Sequence, residues 1–245
     1  MQHDHHGRTH RLELVDQSIR DWTATVLASD RDDGIVLDRS AFYPGGGGQP
    51  PDRGVLVWGG VQTHIVGVRK KDDLWLIPAE FDPIPTVGTS VRGAIDDLRR
   101  SMLMRTHSAL HVLCGVMFRD HGVPVTGGNM EPGEARLDFD FPEVPPGFKD
   151  NLTEALNVEV AADRAIEVKY VPREEAYALG DIIKTATDLL PSELEIVRLV
   201  DINGLDLQAD GGTHVASTKQ IGRVEVTKVE NKGRGFRRVR IRLSE

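Results

Sequence analysis

Residues 96–118 read Asp96-Asp-Leu-Arg-Arg-Ser-Met-Leu-Met-Arg-Thr-His-Ser-Ala-Leu-His-Val-Leu-Cys-Gly-Val-Met-Phe118, and they divide the chain into two parts of different character. The run contains no Pro, and its only Gly lies near the end. Apolar side chains recur at helical spacing, at Leu103, Ala109, Leu110, Leu113, Val116 and Met117. This periodicity predicts a long helix that begins near Asp96.

The segment before this helix has the pattern of β-structure. Between residues 22 and 93, short β-branched runs are separated by Gly, Asp and Pro. The runs cover residues 24–27, 34–38, 54–58, 61–68 and 74–77. Their hairpin-like spacing predicts a small barrel or sandwich.

The segment after the helix mixes strands and helices. Strands are predicted over residues 135–141, 166–171 and 195–199, and a hairpin over residues 224–243. Helices are predicted over residues 146–162 and 172–179. The fold class is therefore predicted to be α+β, with helices packed on an antiparallel sheet. The predicted division is a flexible His-rich tail over residues 1–20, a β-domain over 21–95 and an α+β domain over 96–245.

Composition argues against secretion and against a membrane span. The longest apolar stretches are a few residues long, whereas a membrane-spanning helix needs about 20. The first residues lack the hydrophobic region of a signal peptide. The single cysteine, Cys114, cannot form an internal disulfide, which is typical of the reducing cytosol. We therefore expect a cytoplasmic protein with no membrane partner.

The charge of the chain is unevenly distributed. The formal net charge is −8, yet residues 219–245 contain nine cations and three anions. Clustered Lys and Arg neutralise phosphates, so this strip is a candidate nucleic-acid surface. A solvated charged strand is the alternative interpretation. The candidate contacts are Lys232, Arg234, Arg237, Arg238 and Arg240.

Two pairs of residues have the spacing of metal ligands. His107 and His111 are four apart, so a helix presents both imidazoles on one face, a spacing that is typical of zinc sites. Ser108 stands where a zinc peptidase of the His-Glu-x-x-His type has its Glu, which argues against that class. In Asp210-Gly-Gly-Thr-His214 the glycines permit a tight turn that brings Asp210 and His214 together. We expect one shared tetrahedral site, with a Gly-Gly turn carrying a surface His as the alternative.

Four consecutive glycines, Gly45, Gly46, Gly47 and Gly48, form the third unusual feature. Such a loop lets backbone N–H groups approach a ligand closely, but no Gly-Lys-Ser/Thr follows, which excludes a nucleotide P-loop. A flexible turn is the simpler interpretation. Cys114 shares the helical face of His107 and His111, and a small core residue is the favoured interpretation over a soft ligand.

Three motifs in this order resemble the alanyl-tRNA editing proteins of AlaX type, which are related to the editing domain of alanyl-tRNA synthetase. The motifs are Phe42-Tyr-Pro-Gly-Gly-Gly-Gly-Gln-Pro50, Arg105-Thr-His-Ser-Ala-Leu-His-Val112 and Gly211-Gly-Thr-His-Val215. Supporting matches are Val171-Pro-Arg-Glu-Glu175 and Asn231-Lys-Gly-Arg-Gly235. The likeness runs from about residue 22 to the end of the chain.

The resemblance implies an N-terminal β-barrel followed by an α+β editing domain that holds one zinc ion. It assigns the zinc ligands to His107, His111 and His214, with position 210 in the place of a family cysteine. Here the chain departs from the family, because residue 210 is Asp. Carboxylate oxygen is a legitimate zinc ligand but a harder one than thiolate. The departure puts the fourth ligand and the identity of the metal in question.

The resemblance also implies the reaction, which is hydrolysis of Ser-tRNA(Ala), with Gly-tRNA(Ala) as a further substrate. An alanine site discriminates poorly against a smaller or a hydroxylated side chain, so a second, hydrolytic selection is required. Thr126 is the expected selector of the seryl hydroxyl, with a turn residue as the alternative. Gln49 and Gln208 are candidates for positioning the substrate. The zinc ion would activate water, polarise the ester carbonyl or orient the aminoacyl-adenosine end.

Two other function classes remain open from the sequence. One is a tRNA- or RNA-binding module in which the Asp210 site has lost hydrolysis. The other is a zinc-dependent hydrolase of small esters, which would act without tRNA.

Overall fold

The computed structural model describes residues 8–179, 182, 194–233 and 235–244. The histidines of the predicted tail at positions 3, 5 and 6, and the candidate nucleic-acid contact at position 234, lie outside the described residues. The chain divides into two compact units. The first consists of Met1–Gly46 and Pro50–Ser101, and the second of Gly47–Gln49 and Met102–Glu245.

The first unit is a closed antiparallel β-barrel, as the sequence predicted. Its strands pair in the order β2-β3-β7-β6-β5-β8 and then back to β2. Along β2 the side chains of Trp22, Ala24 and Val26 are buried and alternate with exposed ones, so every second residue points into the core. The strands of the unit are β1 His10–Arg11, β2 Asp21–Asp30, β3 Gly34–Leu37, β4 Arg39–Ser40, β5 Gly54–Trp58, β6 Val61–Lys70, β7 Leu74–Pro78 and β8 Ser90–Ile95.

Part of the range predicted as a flexible tail has regular structure. Strand β1 pairs in parallel with β4, and helix α1, Leu12–Val15, follows it. The hydroxyl of Thr9 donates to the carbonyl of Leu37 at 2.7 Å, and Asp73 accepts from the backbone N–H of Thr9. Residues 9–11 are thus held by hydrogen bonds and strand pairing to other residues of the first unit.

A buried ion pair fixes the start of the glycine motif within the first unit. Arg100 and Asp52 are fully buried, and Arg100 Nε donates to both carboxylate oxygens at 3.0 Å. Asp52 also accepts from the backbone N–H of Tyr43 at 2.7 Å, while Arg100 donates to the carbonyl of Ala41 at 2.7 Å. The backbone of residues 41–43 is therefore fixed by hydrogen bonds to this ion pair.

The second unit combines two antiparallel sheets with helices. Helix α2, Asp97–His121, follows the predicted helix closely and extends it by one turn. The larger sheet has the order β14-β15-β10-β9, and the smaller one β11-β12-β13. Helices α2 and α3 share one core with the inner face of the larger sheet, which agrees with the predicted α+β class. The further elements are β9 Val125–Glu131, β10 Glu134–Asp140, α3 Phe148–Ala161, β11 Ile166–Pro172, α4 Arg173–Ala178, β12 Ile196–Ile202, β13 Asp206–Ala209, β14 Arg223–Asn231 and β15 Phe236–Ser244.

Two strands of the second unit were absent from the sequence prediction. Strand β9 contains Gly127, Gly128 and Asn129, which have low β-propensity, yet it pairs with β10 along its length. The pairing skips Thr126, which lies opposite the register shift between Asp138 and Phe139 and forms a β-bulge. Strand β13 is only four residues long and is defined by its pairing with β12. Both strands therefore form because they pair with a neighbouring strand, and not because of their local sequence pattern.

The described helices include none with the length and apolar character that a membrane span needs.

Candidate metal centre

Helix α2 supplies one side of a buried polar cluster. His107 and His111 lie one turn apart, and their rings are 5.1 Å apart between centroids. Their residues are 3% and 7% exposed, so the cluster lies in the interior of the second unit. Leu103, Leu110 and Leu113 anchor the helix in the core around them.

The segment after β13 supplies the other side. The ring of His214 stacks on the ring of His107 with centroids 4.4 Å apart. Gly212 makes this approach possible, because a Cβ there would lie 2.2 Å from His107 Cε1. The Gly-Gly turn expected from the sequence therefore does bring Asp210 and His214 to the two helical histidines.

Four potential ligand atoms converge in the cluster. One atom each of His107, His111, Asp210 and His214 lies within 4.8 Å of the others. Asp210 Oδ2 is 3.0 Å from His214 Nε2, and Asp210 Oδ1 is 3.7 Å from His107 Nε2. Three imidazoles and a carboxylate are the donor types that zinc accepts.

The outer nitrogen of each ring has a polar partner of its own. His107 Nδ1 lies 3.0 Å from Gln49 Oε1, and His111 Nδ1 lies 2.9 Å from Asp206 Oδ2. His214 Nδ1 lies 3.2 Å from the hydroxyl of Ser108. In metal sites such partners fix the orientation and tautomer of the ring and leave Nε2 as the ligand atom. The residues therefore fit a divalent metal.

Gln49 is itself held in place by two bonds. Its Oε1 accepts from the backbone N–H of Thr213 at 3.0 Å, and its Nε2 donates to the Thr213 hydroxyl at 2.9 Å. These bonds establish which end of the amide faces His107, so the ring must donate from Nδ1. Gln49 thus orients a candidate ligand rather than pointing into open space.

Burial sets the protonation of the cluster. It lowers the pKa of His214 to about 4 and holds the pKa of His107 well below its ordinary value, although Asp210 opposes both shifts. Burial acts to raise the pKa of Asp210, but the interactions with His107 and His214 outweigh it and hold that pKa well below its ordinary value. At neutral pH the two rings are neutral and the carboxylate is ionised, which are the forms that bind metals.

The guanidinium of Arg198 lies next to the Asp210 carboxylate. Arg198 on β12 donates to the backbone carbonyl of Asp210 at 2.6 Å and lies 3.7 Å from Asp210 Oδ2. The guanidinium adds positive charge near His107 and His214, which further lowers the pKa of both. Its side chain is 8% exposed.

The remaining predicted site residues have different positions. Gln208 donates to Asp206 Oδ2 at 2.7 Å, behind His111. Thr126 is exposed at the bulge of β9. A Cβ on Gly47 would lie 3.5 Å from Asp210 Oδ1, so the glycine loop reaches the cluster there, and Gly48 accepts a backbone hydrogen bond from Met130. Cys114 is buried in the core of the second unit.

The basic strip covers β15 and residues that precede it, and it is partly neutralised. Arg238 and Arg240 alternate with the core residues Val239 and Ile241, so they lie on the outward face of the strand. Arg238 makes two bonds to Asp138, at 2.7 and 2.8 Å, and Arg240 donates to Glu230 at 2.9 Å. Arg237 donates to the carbonyl of Pro142, and Lys232 is exposed. The strip thus contains arginine–carboxylate pairs and is not a uniformly positive surface.

Sequence reasoning missed Asp206, Ser108 and Arg198. Asp206, Gln208 and Asp210 alternate, which is the pattern of side chains on one face of a strand, and this signal pointed to Asp206. Ser108 follows the first histidine of the pair, and no sequence pattern marks its contact with His214. Arg198 lies next to Asp210 because β12 pairs with β13, and the Asp210 N–H donates to the Arg198 carbonyl at the end of that pairing. No local sequence pattern marks this contact.

Two protein-family models match parts of the chain. The second additional domain of threonyl and alanyl tRNA synthetases matches residues 197–240, and the class II (A) tRNA synthetases match residues 13–99. The alanyl-tRNA editing protein AlaX-M of Saccharolobus solfataricus is 36% identical over 236 residues, which cover 94% of this chain and 97% of that protein. The AlaX-M protein of Methanosarcina barkeri is 31% identical with the same coverage. The alanine–tRNA ligase of Pyrobaculum neutrophilum is 34% identical over 91% of this chain but only 25% of the ligase.

Proposed function

The chain belongs to the AlaX-M family of alanyl-tRNA editing proteins, and from this membership we propose that it is a metal-dependent hydrolase that deacylates mischarged Ser-tRNA(Ala) in trans. Gly-tRNA(Ala) is a further substrate of the proposal. The observation that carries it is the buried cluster of His107, His111, Asp210 and His214, in which each ring is oriented through Nδ1. We place the enzyme in the cytoplasm, and the reaction in the proposed editing domain, residues 96–245, preceded by a barrel domain over residues 21–95.

Zinc is the proposed metal, with His107, His111, His214 and Asp210 as its ligands. When bound, it would supply Lewis acidity toward a water molecule or the ester carbonyl. The departure from the family cysteine is compatible with this role, because Asp210 is ionised at neutral pH and faces two of the rings. Metal analysis of Asp210→Ala tests the ligand set, and unchanged stoichiometry and affinity would contradict Asp210 as a ligand. Anomalous scattering at the zinc edge tests the identity of the metal.

The chain's own residues divide the remaining work. Gln49 orients His107, and Gln208 holds Asp206 against His111. We propose Thr126 as the group that hydrogen-bonds the seryl hydroxyl, since its side chain is exposed at the bulge of β9. Ala-tRNA(Ala) lacks that hydroxyl and would leave the Thr126 hydroxyl without this bond, which is the basis for discrimination.

We propose β15 and the residues that precede it as the tRNA-binding surface, with Lys232, Arg234, Arg237, Arg238 and Arg240 as contacts. Clustered cations favour the phosphate backbone. For Arg238 and Arg240, binding requires a phosphate to replace Asp138 or Glu230 as the acceptor. This exchange predicts affinity that falls steeply with salt concentration.

The decisive experiment is deacylation of Ser-tRNA(Ala) by the purified, metal-loaded protein, with Ala-tRNA(Ala) as the substrate control. We expect serine release by the unmodified protein and by His64→Ala, which changes an exposed histidine of the barrel. We expect none from His111→Ala. Absence of serine release at catalytic protein concentrations would contradict the proposal and favour an RNA-binding module. Equal activity on small esters without tRNA, unaffected by changes at Arg237, Arg238 and Arg240, would favour the ester hydrolase.

A further inference from the structure

Arg198 carries a buried hydrogen-bond donor that the described part of the protein does not use. Its side chain is 8% exposed, and its Nε–H has no partner among the described residues. Buried polar groups in folded proteins are almost always paired, so an unpaired one calls for an explanation. A guanidinium cannot release its proton at physiological pH, so the donor persists.

The rest of the Arg198 contacts hold the guanidinium beside the metal cluster. Its Nη1 donates to the carbonyl of Asp210 at 2.6 Å, and the backbone N–H of Asp210 donates back to the Arg198 carbonyl at 3.2 Å. Asp210 Oδ2 lies 3.7 Å from the same Nη1. The backbone bond holds the two residues side by side, and the Nη1 bond holds the head group at Asp210.

The strand that carries Arg198 explains its direction. On β12, Val197 and Leu199 pack into the small core with Ala176, whereas Val200 and Ile202 pack into the main core with helix α2. Arg198 has the same parity as Val200 and Ile202. Its side chain therefore leaves the strand on the same face as Val200 and Ile202, which pack against helix α2.

An immobile donor beside a hydrolytic centre has a defined chemical use. Ester hydrolysis moves negative charge onto the carbonyl oxygen as water adds to the carbonyl carbon. Donors that are already oriented toward that oxygen stabilise the transition state without reorganisation. Asp210 holds the Arg198 guanidinium beside the cluster, and its Nε–H is unpaired among the described residues, so this donor is available for such an oxygen.

We propose that Arg198 is a catalytic residue of the reaction proposed above, and that its Nε–H donates to the carbonyl oxygen of the aminoacyl ester. Water adds to the carbonyl carbon and the C=O electron pair moves to the oxygen that Arg198 faces. When that pair returns, the bond to the ribose oxygen breaks and a proton from water ends on the ribose hydroxyl. The products are free serine and uncharged tRNA. The inference rests on the proposed function.

The test compares Arg198→Met and Arg198→Lys with the unmodified protein and with Arg164→Met. Arg164 is a matched control, because it is a partly buried arginine of the second unit that pairs with Glu159 and the carbonyl of Asn203. Circular dichroism and metal content establish that each variant is folded and loaded. We expect kcat on Ser-tRNA(Ala) to fall about 10²–10³-fold in Arg198→Met, as for loss of one such donor, with KM nearly unchanged. Arg164→Met should retain kcat.

Chemical rescue and analogue binding separate this role from a structural one. Guanidinium at low concentration should restore part of the activity of Arg198→Ala, whereas ammonium should not. By calorimetry, the unmodified protein should prefer a phosphonate analogue of seryl-adenosine, which mimics the charged oxygen, over the neutral 3′-amide analogue. Arg198→Met should lose that preference.

The outcomes distinguish this inference from the function on which it rests. If the unmodified protein deacylates Ser-tRNA(Ala) while Arg198→Met keeps its kcat or changes only KM, the role of Arg198 is overturned and the function stands. Retention of the phosphonate preference by Arg198→Met overturns it in the same way. If the unmodified protein neither releases serine nor binds either analogue, the proposed function fails first and the Arg198 inference fails with it.

Discussion

Each unit holds a carboxylate in a polar cluster, and the two carboxylates are compensated differently. Asp52 is fully buried, whereas 12% of the Asp210 side chain is exposed. In the barrel unit Asp52 faces one permanent cation, Arg100, and both residues complete their hydrogen bonds with nearby backbone groups. In the second unit Asp210 faces His107 and His214, whose pKa values lie below their ordinary value because the rings are buried. Asp52 is hydrogen-bonded directly by its cation, whereas Asp210 lies next to two neutral rings, with the Arg198 guanidinium 3.7 Å from its carboxylate.

The difference separates a structural cluster from a functional one. A buried charge is tolerated when it is paired and fully hydrogen-bonded, and Asp52 meets that condition within the protein. The rings around Asp210 present Nε2 toward it, and Arg198 keeps an unused donor nearby. A divalent cation and a substrate oxygen are what would complete that cluster. Substitutions in the two clusters should therefore have different consequences.

The largest effect is expected from removing Arg100. Arg100→Met leaves Asp52 as an uncompensated buried charge, which should lower the free energy of unfolding by about 3–5 kcal/mol. Chemical denaturation measures the loss. Adding Asp52→Asn to Arg100→Met should recover part of it, since the amide keeps an acceptor for the Tyr43 N–H without the charge. Arg92→Met, which breaks an exposed pair with Asp21, is the control and should change little. Equal losses in the single and double variants would contradict the charge explanation.

A smaller loss of stability is expected from substituting Gly212, which lies against the ring of His107. Gly212→Ala places a Cβ 2.2 Å from His107 Cε1, so the ring or the turn must move, at a cost of about 1–3 kcal/mol. Gly211→Ala is the matched control, because nothing lies within 4 Å of a Cβ at that position. The measurements are the free energy of unfolding and the affinity for zinc in a chelator competition. If both alanine variants bound zinc as the unmodified protein does, the close approach of Gly212 would not matter for the site.

The partner of His111 should affect metal binding more than folding. Asp206→Asn keeps the shape of the side chain but removes the charge that faces His111 Nδ1. Loss of such a partner typically weakens metal binding by about 10–100-fold. The control is Asp201→Asn on β12, whose carboxylate pairs with Lys169 instead. Cobalt substitution offers a second measurement, since a changed absorption spectrum in Asp206→Asn alone would report altered ligand orientation. Identical zinc affinities for the two variants would contradict the role of Asp206 in orienting His111.

The sequence predicted the parts of this comparison that local pattern controls. The long periodic run predicted helix α2, and i, i+4 spacing within it predicted that His107 and His111 share a face. The glycines of the Asp210–His214 segment predicted a turn, which the approach of Gly212 to His107 requires. These features depend on residues that are close in the chain.

Partners that come from distant elements could not be predicted in this way. Arg198 reaches Asp210 only because β12 and β13 pair, and β13 is too short to be recognised by pattern. Gln49 lies 58 positions from His107, and its role as an orienting residue appears only in the fold. The sequence instead favoured Gln49 and Gln208 as substrate contacts. The protonation of the cluster was likewise hidden, because burial sets it.

The smallest perturbation is a change of pH on the metal-free protein, which tests whether the bases around Asp210 are neutral. Burial lowers the pKa of His214 to about 4, so its NMR chemical shifts should titrate near that pH rather than near 6.5. Asp210→Asn should lower the midpoint further, because the carboxylate is the group that opposes the shift. The unfolded chain takes up the same proton near pH 6.5, so the His214 contribution to stability is present above that pH and is lost as pH falls toward 4. A His214 midpoint near 6.5 would mean that the ring is charged in mildly acidic solution. Asp210 would then be paired much as Asp52 is, and the contrast between the two clusters would disappear.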